Sequence, residues 1–196
     1  MKNIVIFGAP GSGKGTQSDK IIAEFGVAHI STGDVLRSEI KANTDLGNIA
    51  SKYIQDGKLV PDDLIINMLA KTLDKLIRDA NICGGHNLPG VIFDGFPRTI
   101  AQAQALDDML AERGEKVNYV IGLEVDDEEL INRIVERGKT SGRSDDNAET
   151  AKKRLETYYA QTLPLKEFYV KQGKYVKIQG VGSIDDIYSE IRNTLK

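Results

Sequence analysis

The segment Gly8-Ala9-Pro10-Gly11-Ser12-Gly13-Lys14-Gly15-Thr16 holds the residue types that grip a phosphate chain. Its glycines permit unusual backbone angles and close approach of the main chain to a ligand. Successive N–H groups can then point inward as an anion nest. A helix starting behind them adds its partly positive N-terminus. Lys14 would reach the β- and γ-phosphates of a nucleoside triphosphate, and Thr16 would hold Mg2+ through its hydroxyl. This is a P-loop arrangement with one departure. Gly15 stands where Ser or Thr directly follows the lysine, and Thr16 comes one residue later. A glycine-rich turn that only joins strand to helix is the competing reading, and the lysine between the two argues against it.

Further polar residues fit the same chemistry. Asp94 closes the apolar run Val91–Asp94, where a carboxylate suits Mg2+, directly or through water. Arg133 and Arg137 sit four apart and share a helix face. Arg143 and Arg154 follow, and Arg37 and Arg98 precede them. A guanidinium donates in pairs to phosphate and keeps its charge at any working pH. Phosphoryl transfer asks for this: reactants held in line and charge neutralised, with little covalent help. No general base stands out. Each arginine alone would read as a solvated surface residue, and only their joint occurrence with the P-loop argues otherwise. Asp145 and Asp146 could cap a helix or orient arginines. His29 reads as a strand-end core residue, His86 as a loop residue, and Tyr158, Tyr159 and Tyr169 as core packing.

The elements that must position these groups alternate. Strands are expected at Asn3–Phe7, Val27–Ile30, Val91–Asp94, Tyr119–Val125 and Lys174–Ile178. Helices are expected at Gly15–Phe25, Asp34–Lys41, Leu46–Asp56, Asp62–Asp79, Ala101–Arg113, Glu128–Arg137 and Ile184–Leu195. Gly114 and Gly138 read as helix terminators. Asp146 with Glu149 three residues on reads as a capping box for one long helix to about Lys171, kinked by Pro164. Short strands separated by helices imply an α/β domain with a five-stranded parallel sheet covered on both faces. The stretch Asp79–Gly90 lacks a pattern and reads as a surface loop.

The chain has 196 residues, a length that suits one domain, and a formal net charge of −3. That charge excludes the basic footprint of a nucleic-acid binder. The run Ile4–Phe7 is far too short to span a bilayer. One cysteine, Cys83, forms neither an internal disulfide nor a multi-cysteine zinc site. The expectations are therefore no nucleic acid, no membrane, no structural zinc and a cytoplasmic location.

Three further motifs narrow the class: Ser31-Thr32-Gly33-Asp34, Asp94-Gly95-Phe96-Pro97-Arg98-Thr99 and Arg143-Ser144-Asp145-Asp146. With Gly-x-Pro-Gly-x-Gly-Lys-Gly-Thr, which accounts for Gly15, the chain resembles the adenylate kinase family over essentially its whole length. The resemblance implies a P-loop fold and reversible Mg-dependent transfer of a phosphoryl group from ATP to AMP, giving two ADP. It implies ATP contacts from Gly11, Ser12, Gly13, Lys14, Gly15, Thr16, Arg133, Arg137 and the main chain at Gly182. It implies AMP contacts from Thr32, Arg37, Lys58, Leu59, Val60, Gly95, Phe96, Pro97, Arg98, Gln102, Arg143 and Arg154, with Gln102 reading the adenine edge. The catalytic set would be Lys14, Arg98, Arg133, Arg137, Arg143 and Arg154, with Mg2+ near Thr16 and Asp94. Residues 31–60 would form a flap over AMP and 136–146 a lid over ATP. The core would comprise 1–30, 61–135 and 147–196, and the enzyme would be a monomer. Only Gly138–Gly142 separates Arg137 from Arg143, so the resemblance is to short-lid members, without a zinc-bearing lid.

Two alternatives stand beside this reading. One is a UMP/CMP kinase of the same fold, and the other a nucleotide-binding regulatory module without phosphotransfer. A guanine-nucleotide switch is excluded, because no Asn in the chain is followed by Lys.

Overall fold

A computed structural model describes residues 1–82 and 88–196. Five parallel strands form one sheet: β1 (Lys2–Gly8), β2 (Ala28–Ser31), β3 (Gly90–Asp94), β4 (Tyr119–Glu124) and β5 (Tyr175–Gln179). Their spatial order is β2-β3-β1-β4-β5, so β1 lies at the centre, between β3 and β4. The helices are α1 (Lys14–Phe25), α2 (Thr32–Lys41), α3 (Asp45–Gln55), α4 (Asp62–Ile82), α5 (Ile100–Ala111), α6 (Asp127–Ser141), α7 (Ala148–Thr157), α8 (Leu165–Lys171) and α9 (Ile184–Leu195).

The apolar run of β1 is buried on both faces, which is why it shows no polar alternation. Successive side chains point to opposite sides. Val5 and Phe7 join Phe93, Leu69, Leu73 and Leu106 in one core, while Ile4 and Ile6 join Ile92, Ile121, Ile21 and Ile191 in the other. The register aligns Ile6 with Asp94, Ser31 with Asp94 and Gly8 with Leu123. The carboxyl ends of the strands therefore lie together, and the chain divides right and left of β1 there. That is the crevice where open α/β sheets bind ligands.

Side-chain caps mark the helix starts that face this edge. Ser31 accepts the Asp34 N–H at α2, and Thr99 accepts the Gln102 N–H at α5. The cap of α7 is Asn147, whose side chain accepts the Thr150 N–H, so the expected capping box at Asp146 is corrected by one residue. This frees the Asp146 carboxylate for another task.

Three helices differ in extent from expectation. Helix α6 does not stop at Gly138 but continues to Ser141 and ends at Gly142, which adopts φ 63°. Gly138 serves close approach, because a Cβ there would lie 2.2 Å from the carbonyl oxygen of Asp146. The single long helix expected to Lys171 is three pieces. A π-helical turn spans Tyr158–Thr162 between α7 and α8. Pro164 has no N–H to continue the ladder. Just before it, the Leu163 N–H bonds the Tyr158 carbonyl at 2.8 Å, one residue further back than in an α-helix. Helix α4 runs to Ile82, into the stretch expected as a loop from Asp79. Cys83, Gly84, Gly85 and His86 lie outside the described residues.

Candidate active site

A cavity of about 560 Å³ opens at the carboxyl edge of the sheet, and Lys14 and six arginines line it: Arg37, Arg98, Arg133, Arg137, Arg143 and Arg154. They come from α1, α2, the β3–α5 turn, α6, the α6–α7 connection and α7.

The P-loop leaves β1 and enters α1 through Gly13, which adopts φ 91° and lets the chain turn into the helix. At Gly11, φ is 85° and a Cβ would meet the Leu130 carbonyl oxygen at 2.7 Å. A side chain is therefore excluded there on two grounds. Lys14 folds back over the loop, and its Nζ donates to the carbonyls of Gly8 at 2.7 Å and Ala9 at 2.8 Å. Burial brings the Lys14 ammonium down to about 8, Asp94 opposes that, and Arg98, Arg154 and Arg137 reinforce it.

The guanidinium groups fall into two electrostatic kinds. Arg98 is brought down to about 10, first by burial and then by Arg154, with Asp94 opposing. Burial also lowers Arg154 and Arg143, and neighbouring arginines add to it. Arg137 goes the other way, raised by its hydrogen bonds to Asp146. Both bonds are 2.7 Å, from Nε to Oδ2 and from Nη2 to Oδ1, and the Asp146 side chain is fully buried. Ser141 Oγ donates to the same carboxylate at 2.9 Å. Arg154 Nη1 donates to Asp145 at 2.7 Å. Burial alone would raise the Asp146 carboxyl, and Arg137, Ser141 and Arg154 hold it below the usual range instead. Arg133 is steadied by Glu129 at 2.7 Å and the Gly180 carbonyl at 3.0 Å. Arg37 donates to Asp34, and Arg143 lies 3.8 Å from the same carboxylate. Cations whose charged form is disfavoured first by burial and then by one another mark a site suited to a polyanion, whose arrival would offset both.

The remaining expected residues divide by placement. Gly11, Gly13, Gly15, Thr16, Thr32, Lys58, Leu59, Val60, Asp94, Gly95, Pro97 and Gln102 line the same cavity. Ser12 and Gly182 line an adjoining cleft with Gly13, Thr16, Gln17 and Arg133. Phe96 does not face the cavity. Its side chain is 1% exposed and packs in the apolar core, between Gly95 and Pro97, which do line the cavity. Lys58 pairs with Asp56 at 3.0 Å on an exposed surface. Thr32 Oγ1 donates to the Gly95 carbonyl at 2.8 Å, which joins the start of α2 to the β3–α5 turn.

Sequence reasoning missed several lining residues. His29 lines the cavity, with Nε2 3.9 Å from Asp94 Oδ2, and is not merely a core residue. Tyr158 lines it too, one turn after Arg154, a helical spacing that could have revealed it. Tyr169, in contrast, is fully buried in the core as expected, while Tyr159 is exposed and donates to Asp127.

Thr16 and Asp94 fit Mg2+, a hard cation that takes few protein oxygens and keeps several waters. The Thr16 hydroxyl sits in the first turn of α1 and the Asp94 carboxylate at the end of β3, and both face the cavity. Burial would raise Asp94, yet His29, Lys14 and Arg98 together hold its carboxyl low, so it is an anion ready to ligate. Among the described residues, no three His, Cys, Asp or Glu side chains converge as a metal-binding group. No described helix is long and apolar enough to cross a membrane.

A P-loop at the centre of a parallel sheet, facing far more cationic charge than one triphosphate needs, defines a class: a nucleotide kinase whose acceptor also carries phosphate. The model of the family described as adenylate kinase matches residues 6–174. An adenylate kinase of Parabacteroides distasonis is 57% identical over 195 residues, covering 100% of this chain and 98% of the relative. One from Phocaeicola vulgatus is 56% identical over 97% of this chain and 96% of its own. One from Porphyromonas gingivalis is 50% identical over 95% and 92%. The chain belongs to the adenylate kinase family, and its activity is phosphoryl transfer between ATP and AMP. The UMP/CMP kinase and the regulatory module are not favoured.

Proposed function

We propose that this chain performs the transfer with the residues that share the cavity, in the following division of labour. The P-loop N–H groups and Lys14 hold the β- and γ-phosphates of ATP, with Arg133 and Arg137 on the same polyanion. Arg37 and Arg98 grip the AMP phosphate, and Thr32, the main chain at 58–60 and Gln102 receive its nucleoside. Arg143 and Arg154 stand between the two and stabilise the charge that moves. Mg2+ held by Thr16 and Asp94 would neutralise part of the triphosphate charge. The chain's own part is to bring two polyanions in line and to exclude water, since an open site would hydrolyse ATP. Residues 31–60 act as the flap over AMP and 136–146 as the lid. Gly142 supplies the turn that returns the lid towards α7.

The observation that carries this reading is the convergence of Lys14 and the six arginines on one cavity. A module that only bound ATP would have no need of cations placed for a second phosphate. The cations this reading uses can all be supplied by one copy of the chain, so we propose a monomer, and the cytoplasm as its location.

A coupled assay with Mg-ATP and AMP, CMP, UMP or GMP tests the acceptor. AMP is expected to turn over fastest, and faster turnover of CMP or UMP would overturn the reading. Replacing Arg98 by Ala should lower kcat/KM for AMP by about 10³, the worth of two charge-assisted hydrogen bonds of about 2 kcal/mol each to the acceptor phosphate. The fold should persist by circular dichroism.

A further inference from the structure

We propose that Asp62 is a positioning residue for the acceptor base, acting by locking the carboxamide of Gln102 in one orientation. This rests on the proposed reading that Gln102 faces the acceptor nucleoside.

Gln102 is 2% exposed yet lines the cavity. Its two ends are separately held. Nε2 donates to Asp62 Oδ1 at 2.7 Å, and Oε1 accepts the Arg98 N–H at 2.8 Å. A carboxylate only accepts and a backbone N–H only donates, so both anchors select the same orientation of the amide. One N–H and one lone pair of the carboxamide remain uncommitted. A neighbouring donor and acceptor of fixed order match a base edge offering an acceptor beside an amino group. They mismatch an edge with those groups reversed.

Asp62 does not line the cavity itself. It sits in the first turn of α4, and its second oxygen, Oδ2, accepts from Thr99 Oγ1 at 2.8 Å. Thr99 in turn caps α5 by accepting the Gln102 N–H at 3.2 Å. One carboxylate on α4 thus fixes both the start of α5 and the amide one turn inside it. A residue that served only to cap helices would use Thr99 and have no cause to hold the far end of Gln102.

The test compares Asp62→Ser, Asp62→Asn and Gln102→Ala with the parent enzyme, reading KM for AMP, KM for ATP, acceptor discrimination and thermal unfolding. Serine keeps a good helix-start residue but is too short to reach Gln102. Losing the anchor should raise KM for AMP about tenfold, the worth of one charge-assisted hydrogen bond. KM for ATP should stay within about twofold, and the preference for AMP over CMP should narrow in proportion. Asn still offers an acceptor to Gln102, so that variant should keep KM for AMP within about threefold. In the Gln102→Ala background, Asp62→Ser should change KM for AMP no further.

Unchanged KM for AMP and unchanged discrimination in Asp62→Ser, with only a lowered melting temperature, would overturn the assignment. So would additive effects in the double variant, or a rise in both KM values together. Should Asp62→Ser not fold, Asp62→Asn still decides, because a tenfold loss of AMP affinity with the acceptor retained contradicts the proposal. A parent enzyme that does not discriminate AMP from CMP would instead undo the proposed base reading of the cavity.

Discussion

The Asp146–Arg137 pair separates two roles for one carboxylate, and Asp146→Asn tests them. As a helix cap, Asp could be exchanged for Asn at almost no cost, since the two cap equally well. As an anchor for Arg137, the exchange is expensive. Asparagine keeps the shape, but one of the two 2.7 Å bonds then meets an NH2 group. The Asp146 side chain is fully buried, while Arg137 is 37% exposed and keeps part of its water. Breaking a wholly buried pair costs about 3–5 kcal/mol, and the exposure of Arg137 reduces that to about 2 kcal/mol here. Stability by urea titration should fall by about that amount at pH 7. A loosened Arg137 should also lower kcat by about 10–100-fold, the cost of misplacing a group around transferred phosphate. The pH dependence has a definite sign. Asp146 is held below the usual carboxylate range in the folded protein, so its contribution is complete above the unfolded value. It disappears as pH falls through the lower folded value, and the two proteins should converge in acid. Asn147→Ala is the control. It removes the actual cap of α7, costing about 1 kcal/mol with kcat unchanged. A parent-like Asp146→Asn in both stability and rate would refute the anchoring argument.

Two further expectations follow from the same geometry. Lys14 loses its proton near pH 8 in the free enzyme, so kcat/KM for ATP should fall about tenfold per pH unit above that point. In the bound complex the phosphates favour the charged lysine, so kcat should fall only at higher pH, and a shared inflection would argue against this. Gly138→Ala should destabilise the protein by about 2 kcal/mol, although alanine is the better helix former by about 1 kcal/mol, because its Cβ would strike the Asp146 carbonyl. A gain in melting temperature would show that α6 and the Asp146 segment do not pack as described.

Local sequence settled the parts of this protein whose physics is local. Apolar runs bounded by polar residues specify buried strands, and the run at β1 could not be solvated on either face. The P-loop composition carries its own backbone geometry, because only glycine takes the angles at 11 and 13 without strain. The arginines were legible as a set through their association with that loop and through the family resemblance. Helix ends were less legible: Gly138 and Asp146 look like a terminator and a cap, and each is a good one in isolation. Tertiary packing reassigned the glycine and, of the two roles open to Asp146, selected the orientation of an arginine. A glycine was needed where the 146 backbone crosses α6, and a carboxylate where Arg137 lacked a counter-charge. The same holds for Asp62, Thr99 and Gln102, which form one network across 37 and 40 residues of sequence. His29 and Tyr158 reach the cavity only because β2 and α7 end beside it. Which cations are repelled, which are paired and which carboxylate steadies them depends on distances between elements remote in the chain. Electrostatic energy depends on separation and burial, and neither is fixed until the sheet and helices have come together.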